Sequence, residues 1–155
     1  MTSKFHFLSF LFFSFISYSF QNPNPDSNSS PSRAHTELTN YGFPIGLLPA
    51  TTILNYNVNQ TSGEFTVYLG DSCKITLPPD NYLATYSKRI TGKIVKGRIA
   101  ELDGIRVQAF FKWWSITGIR SNDEDLVFEV GMVTAKYPLK NFDESPPCEG
   151  RYSAS

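Results

Sequence analysis

The chain has 155 residues, with 14 Lys plus Arg against 14 Asp plus Glu, a size that holds one ordinary domain and excludes a multidomain enzyme. Zero formal charge supplies no overall attraction to nucleic acid, and 41% hydrophobic content with a mean hydropathy of -0.23 matches neither a membrane-embedded nor a disordered chain. Thirteen Phe are the outlier, and seven of them fall within the first 20 residues.

That Phe-rich start has Lys4 and His6, an apolar run through Leu8, Phe10, Leu11, Phe12, Phe13, Phe15 and Ile16, and the small-residue pattern Ser17-Tyr18-Ser19. The order is that of a secretory signal peptide over residues 1–19. A spanning helix needs about 20 mostly apolar residues, and Ser9, Ser14 and Ser17 interrupt this one before Gln21-Asn22-Pro23 ends it. Removal leaves 136 residues with 13 basic and 14 acidic side chains and no further apolar run of spanning length. The expected destination is the extracellular space or cell wall, with the vacuole as a second address.

Export brings Cys73 and Cys148 into an oxidising compartment, where an even pair is expected to form one disulfide. It would close a loop of about 75 residues, worth on the order of 4 kcal/mol in the chain-entropy picture. Asn28-Ser29-Ser30 and Asn59-Gln60-Thr61 are glycosylation acceptors on the same route. Asn59 is the better placed, because residues 55–63 read as an exposed turn between strands.

Residues 20–32 are Pro, Asn, Ser and Asp in the main and predict a flexible arm, as the last five residues, 151–155, predict a disordered tail. Ser32 as N-cap, Ala34, Leu38 and Tyr41 at helical spacing, and Gly42 with Pro44 as a stop predict a short helix over residues 33–41. Phe43-Pro44-Ile45-Gly46-Leu47-Leu48-Pro49 follows as an irregular apolar turn. Beyond Asn57 the period changes to two. Phe65, Val67 and Leu69 alternate, then Cys73, Ile75 and Leu77, then Tyr82, Ala84 and Tyr86, and residues 90–99, 105–116 and 126–135 are β-branched or aromatic. Six or seven strands behind one helix predict a mainly β domain over residues 33–150: a single antiparallel barrel, closed or nearly closed, with a short N-terminal helix.

Catalytic chemistry has little to stand on. His35 is the one histidine left after cleavage, and its place beside the arm predicts a surface side chain. No Gly-x-Ser-x-Gly elbow presents a serine. Two distant cysteines and one histidine have no zinc spacing, and Ser121-Asn122-Asp123-Glu124-Asp125 lacks the calcium-loop frame and reads as a solvated hairpin loop. The glycines of Gly92-Lys93-Ile94-Val95-Lys96-Gly97 imitate a phosphate loop, but Arg98-Ile99 stands where Lys-Ser/Thr is required. No motif asks for a cofactor.

Local charge is more informative. Lys88, Arg89, Lys93, Lys96 and Arg98 put five basic residues into eleven positions without an acid, whereas acids dominate after Asp123. Such strands suit anionic lipid headgroups or acidic polysaccharide, or else protect a sheet edge. Phe110-Phe111-Lys112-Trp113-Trp114 is the densest aromatic cluster. As one continuous strand it carries large rings on both faces, and packing on both sides is the expectation, with Phe110 and Trp114 as the rings offered to a ligand otherwise.

Tyr41-Gly42-Phe43-Pro44-Ile45-Gly46-Leu47-Leu48-Pro49, Cys73, Ile90-Thr91-Gly92-Lys93-Ile94, Leu102-Asp103-Gly104-Ile105-Arg106-Val107, Trp113-Trp114-Ser115-Ile116-Thr117-Gly118-Ile119, Val130-Gly131 and Pro146-Pro147-Cys148 together resemble the plant domain of unknown function 538, over residues 37–148. The resemblance implies a small secreted plant protein with a β-barrel and a short N-terminal helix. It supplies no agreed catalytic motif; members have been likened to lipid-binding bactericidal/permeability-increasing proteins, and esterase-like roles have been proposed. The leading expectation is a non-catalytic binder of an amphipathic lipid-like or acidic polysaccharide ligand, using Lys88, Arg89, Lys93, Lys96, Arg98, Phe110 and Trp114. An esterase with a serine assembled near His35 is the alternative, and a stress or defence protein acting through protein contacts is a third reading.

Overall fold

Ser32 opens the first element. The computed structural model describes residues 32–77 and 81–149, so the expected leader, nearly all of the arm, Asn28 and the tail lie outside the described residues. The Ser32 hydroxyl oxygen accepts the His35 backbone N–H at 3.2 Å and so caps helix α1, Arg33–Asn40. Tyr41 ends it, with its N–H turned back to the Leu38 carbonyl, and Pro44 lacks the N–H that a continuing helix needs. The helix buries Ala34 and His35. The expected surface position of His35 is therefore overturned: α1 lies against the Pro49 segment, and the imidazole Nε2 meets the Pro49 carbonyl oxygen at 3.1 Å. After Phe43 the chain makes a 3-10 turn, Ile45–Leu47, as the two flanking prolines dictate.

Eight strands follow: β1 Ile53–Val58, β2 Glu64–Leu69, β3 Cys73–Leu77, β4 Tyr82–Val95, β5 Arg98–Ala109, β6 Lys112–Ser121, β7 Asp125–Val130 and β8 Val133–Pro138. They form one antiparallel sheet in the order β1-β2-β4-β5-β6-β7-β8, and β3 pairs with the first half of β4, beside β2 on the second half. The mainly β class and the single short helix are as expected. The closed barrel is not: β1 pairs with β2 alone and β8 with β7 alone, so hydrogen bonding leaves the sheet open among the described residues.

Four expected segments also change their bounds. Residues 55–58 belong to β1, and the turn narrows to residues 59–63, where the Asn59 side chain accepts the N–H groups of Thr61 and Ser62. Residues 90–99 and 126–135 each divide into two strands, at Lys96-Gly97 and at Gly131-Met132. Residues 105–116 divide at Phe110-Phe111, with Ala109 paired to Lys112 across a two-residue turn. The loop of Asn122 to Asp125 is exposed or half-buried and solvated as expected, with Asn122 Oδ1 accepting from the Glu124 and Asp125 N–H groups.

One core cluster joins Val67 and Leu69 from β2, Ile75 from β3, Ile90 and Ile94 from β4, Ile99, Leu102, Ile105 and Val107 from β5, Ile116 and Ile119 from β6 and Leu126 and Phe128 from β7. A sheet whose strands all feed one cluster must curl around it. Bulges permit the curl. Along β5 the buried positions pass from Ile99 to Leu102 to Ile105, a parity reset at Glu101 (φ 52°) and again at Gly104 (φ 113°). A Cβ on Gly104 would lie 2.7 Å from the Arg89 carbonyl oxygen, so the close approach of β4 to this kink needs glycine.

Chain outside the strands, including the 3-10 turns Ile45–Leu47 and Leu139–Phe142, covers what the strands leave open. Phe43, Leu47 and Phe142 enter the same core. The Tyr86 hydroxyl donates to the Leu47 carbonyl at 2.7 Å, and burial pushes its pKa far above the ordinary phenol value. Gly46 lies so close to the carbonyl oxygens of Phe142 and Glu144 that a side chain would overlap both. The segment then runs along Ala50, whose N–H donates to the Pro146 carbonyl, and reaches β3, where Glu149 N–H donates to Lys74 and Cys148 bonds to Cys73. The expected disulfide is present.

The Phe110-Phe111 turn stores strain. Both residues have positive φ, 54° and 68°, the pattern of the tight hairpin turn that Asn-Gly fills without penalty, and a bulky L-residue in this region costs about 1–2 kcal/mol. Phe111 is 99% exposed, so it has no packing to lose. Phe111→Gly is expected to raise unfolding stability by about 1 kcal/mol; a denaturant midpoint at or below the wild-type value would contradict this reading of the turn.

Candidate functional site

The two hairpin turns at the Ala109 end of β5 frame an apolar groove of about 250 Å³. Val107, Ile116, Phe128, Val130, Ala135 and Phe142 supply walls, Phe110 and Val133 stand on its border as exposed rings and methyls, and Tyr82, Thr134 and Tyr137 complete the lining. An apolar cavity of about 150 Å³ accommodates a benzene-sized molecule, so this groove has room for a ring or a short stretch of alkyl chain. By contrast, the hollow beneath α1, between Leu38, Phe65, Ile94 and Ile119, holds about 70 Å³. That is under half the cavity of about 150 Å³ that takes benzene, and so less room than the groove offers.

The groove exists because the β5–β6 strand is broken. Register sums place Val107 opposite Trp114, and the same inward face passes from odd residues on β5, Ile105 and Val107, to even residues on β6, Trp114 and Ile116. Rings expected to pack on both faces of one strand therefore separate. Phe110 is 83% exposed at the turn, while Trp113 and Trp114 are half-buried behind it. Trp114 Nε1 donates to the Ala109 carbonyl at 3.1 Å, and Lys112 Nζ lies 5.3 Å from the Trp114 ring centroid. The Arg106 guanidinium lies 5.8 Å from the Trp113 centroid. Both are cation–π arrangements.

Of the residues singled out in the sequence, Phe110 lines this groove and Trp114 braces its turn. Lys88, Arg89, Lys93, Lys96 and Arg98 do not line it. Lys88, Arg89 and Lys93 sit on the middle and second half of β4, Lys96 in the turn that follows it and Arg98 at the start of β5, away from the Phe110 end of that strand. Lys93 Nζ is 3.9 Å from Glu101 Oε2, and Arg98 is 3.7 Å from Glu129 Oε2, which also accepts from Arg120 at 3.2 Å. Two of the five charges thus carry an acidic neighbour. Phe111, Lys112, Met132 and Val133 were not singled out as exposed. The parity switch between Val107 and Trp114 was the signal for a two-residue turn there, and the absence of Gly or Asn concealed it.

His35 meets a serine. Its Nδ1 is 2.6 Å from Ser32 Oγ, while Nε2 faces the Pro49 carbonyl, which only accepts. Nε2 therefore carries the ring proton, Nδ1 accepts, and the Ser32 hydroxyl donates to it. Burial lowers the imidazole pKa and outweighs the carbonyl contacts that raise it. Cys73 and Cys148 are joined, Asn59 is exposed, and among the described residues no group of three or more His, Cys, Asp or Glu is placed to hold a metal ion.

Over residues 34–143 the chain matches the family model described as protein of unknown function, DUF538. No curated protein and no solved structure matches it significantly.

The depressed His35 pKa makes stability depend on pH. The unfolded state takes up a proton near pH 6.5 and the folded state resists it until lower pH, so stability is full above about pH 7 and declines as pH falls below the unfolded pKa. Denaturant midpoints from about pH 7.5 to about pH 5 are expected to fall more in the wild type than in His35→Gln, which keeps a donor toward Pro49. Equal slopes would contradict a buried neutral imidazole.

Proposed function

We propose that this chain, which belongs to the DUF538 family of proteins of unknown function, is a non-catalytic binding protein that takes the apolar part of an amphipathic, lipid-like ligand into the groove between the β5–β6 and β7–β8 turns. The observation that carries the reading is the groove itself: its walls are almost wholly side-chain hydrocarbon, it is about 250 Å³, and exposed Phe110 and Val133 stand at its border. Apolar concavities with a few polar groups are the usual setting of small-molecule sites, and monomeric proteins seldom leave such surface in water without use.

Acidic polysaccharide is the less favoured ligand, because Lys93 and Arg98 already have acidic neighbours and the basic residues line no groove described above. Export is the setting we propose. The Cys73–Cys148 bond needs an oxidising compartment to form and persist, no helix among the described residues is long and apolar enough to cross a membrane, and residues 1–19 have the order of a cleavable leader.

The test is a fluorescent fatty acid titrated into the chain with its disulfide intact. Ala135 lines the groove, and Ala135→Phe fills it; binding to the wild type and at least about tenfold weaker binding to the variant are expected, since about 1.4 kcal/mol of lost contact is tenfold. Equal affinity for both proteins removes the groove from the account.

A hydrolytic reading has one specific observation in its favour, the Ser32 hydroxyl donating to an imidazole whose other nitrogen is held by a carbonyl, which is the order of nucleophile, base and orienting group. The same Ser32 oxygen is already engaged as the cap of α1, which accounts for the pair without catalysis. Turnover of short-chain nitrophenyl esters is therefore expected to stay at background in both wild type and Ser32→Ala. A wild-type rate abolished by Ser32→Ala would replace the binding reading with hydrolysis.

A further inference from the structure

We propose that the Phe110-Phe111 and Gly131-Met132 turns form a tip that docks on the surface of an anionic lipid bilayer. This extends the binding reading by naming the source of the ligand, and rests on it to that extent.

Four of the seven large hydrophobic residues that are exposed among the described residues lie at this end: Phe110 at 83%, Phe111 and Met132 at 99%, and Val133 at 64%. They belong together in space. Phe110 and Val133 border one groove, and Gly131 lies against the Trp114 ring, so that a Cβ there would be 3.5 Å from it. The two Phe also hold positive φ values that favour Gly or Asn. A protein that keeps bulky rings in a strained turn, with one ring wholly in water, has a local conflict of the kind found at functional sites.

What lies behind the tip selects the partner. Trp113 and Trp114 are half-buried two or three residues back along β6 from Phe111, ~7–10 Å at about 3.3 Å per residue and level with Gly131 of the second turn, so Phe110-Phe111 leads and Met132 enters beside the rings, close to the depth at which apolar side chains give way to headgroups. Trp rings favour that boundary. Arg106 and Lys112 lie over those same rings, where long basic side chains reach headgroup phosphate while their stems stay in apolar surroundings. Residues 105–116 and 130–135 contain no acid. A protein partner would ask for a shaped, complementary face; rings at the point and cations behind them fit a layered phase with hydrocarbon inside and negative charge outside. Docked this way, the groove mouth beside Phe110 opens toward the lipid, so an alkyl chain enters without crossing water.

The experiment is co-sedimentation of the chain, disulfide intact, with phosphatidylcholine vesicles prepared with and without phosphatidylserine. Neither Phe111 nor Met132 lines the groove, so Phe111→Gly with Met132→Gln removes the tip and leaves the groove walls. Wild type is expected to bind phosphatidylserine vesicles more tightly than neutral ones. The double variant is expected to bind at least about tenfold less, while taking up the fluorescent fatty acid as wild type does. Lys112→Ala is expected to lose about fivefold on the anionic vesicles alone. Wild-type affinity in the double variant, or no binding of wild type to either vesicle, overturns the proposal. So does a wild type that dimerises without lipid and a double variant that does not, because the tip would then be an interface between copies. Ala135→Phe separates the two ideas: vesicle binding kept with fatty-acid binding lost supports both, whereas vesicle binding kept with fatty-acid binding unchanged leaves docking standing and removes the groove.

Discussion

An eight-stranded sheet whose first and last strands do not pair must shield its interior with something other than a strand, and the rest of this structure answers that constraint. β1 and β8 each have one neighbour, yet Ile75 and Leu126 are completely buried. Phe43, Leu47 and Phe142, all from outside the strands and two of them from 3-10 turns, make up the difference. Their backbone groups need partners away from water, and they find them in each other and in the sheet: Tyr86 with Leu47, Ser145 with Ile45, Ala50 with Pro146. The Cys73–Cys148 bond ties the last of these segments to β3 across 75 residues of sequence, and limits how far the unfolded chain can separate them.

The same constraint makes the two ends of the sheet unlike. One end of the sheet is occupied by α1, whose C-terminus is bound to the Lys96-Gly97 turn through Tyr41 and to β6 through Gly42 and Ser121. The other end carries no such cover among the described residues, and there the β5–β6 and β7–β8 turns project Phe110, Phe111 and Met132 into water beside an apolar groove. Covering one end with helix and leaving apolar turns at the other makes the domain directional, which is what a binder that meets its ligand at a boundary requires. Buried, neutral His35 belongs to the covered end, where its contacts with Ser32 and Pro49 join the start of α1 to the turn that follows it.

Much of the fold was legible in the sequence. Ser32 and Pro44 bound the helix because capping and the missing proline N–H are local effects, and the alternation of Phe65, Val67 and Leu69 is an unbroken half-buried strand. Alternation failed where the sheet bends: Glu101 and Gly104 reset the parity of β5, and a rule of period two cannot see a bulge whose purpose is tertiary. The exposed tip was hidden for a different reason. Phe110-Phe111 lacks the Gly or Asn by which turns are recognised, so two strands read as one and the rings were placed in a core. The open sheet could not be foreseen at all, since whether β1 reaches β8 depends on where residues 43–50 and 139–149 pack. The disulfide was legible because two cysteines allow one pairing, whereas the Ser32–His35 contact and the burial of the imidazole went unread, because His35 is held by the Pro49 carbonyl, which arrives from outside the helix.

The proposed binding depends on a lipid-like molecule entering the groove between the two turns. Backbone amide resonances of the isotope-labelled chain, followed during titration with a monomeric short-chain lysophospholipid, test it most directly. Shifts concentrated at Ile116, Phe128, Val130 and Ala135, all of which line the groove, are the predicted result. Shifts concentrated instead between Lys88 and Arg98, with the groove amides unmoved, would contradict the account.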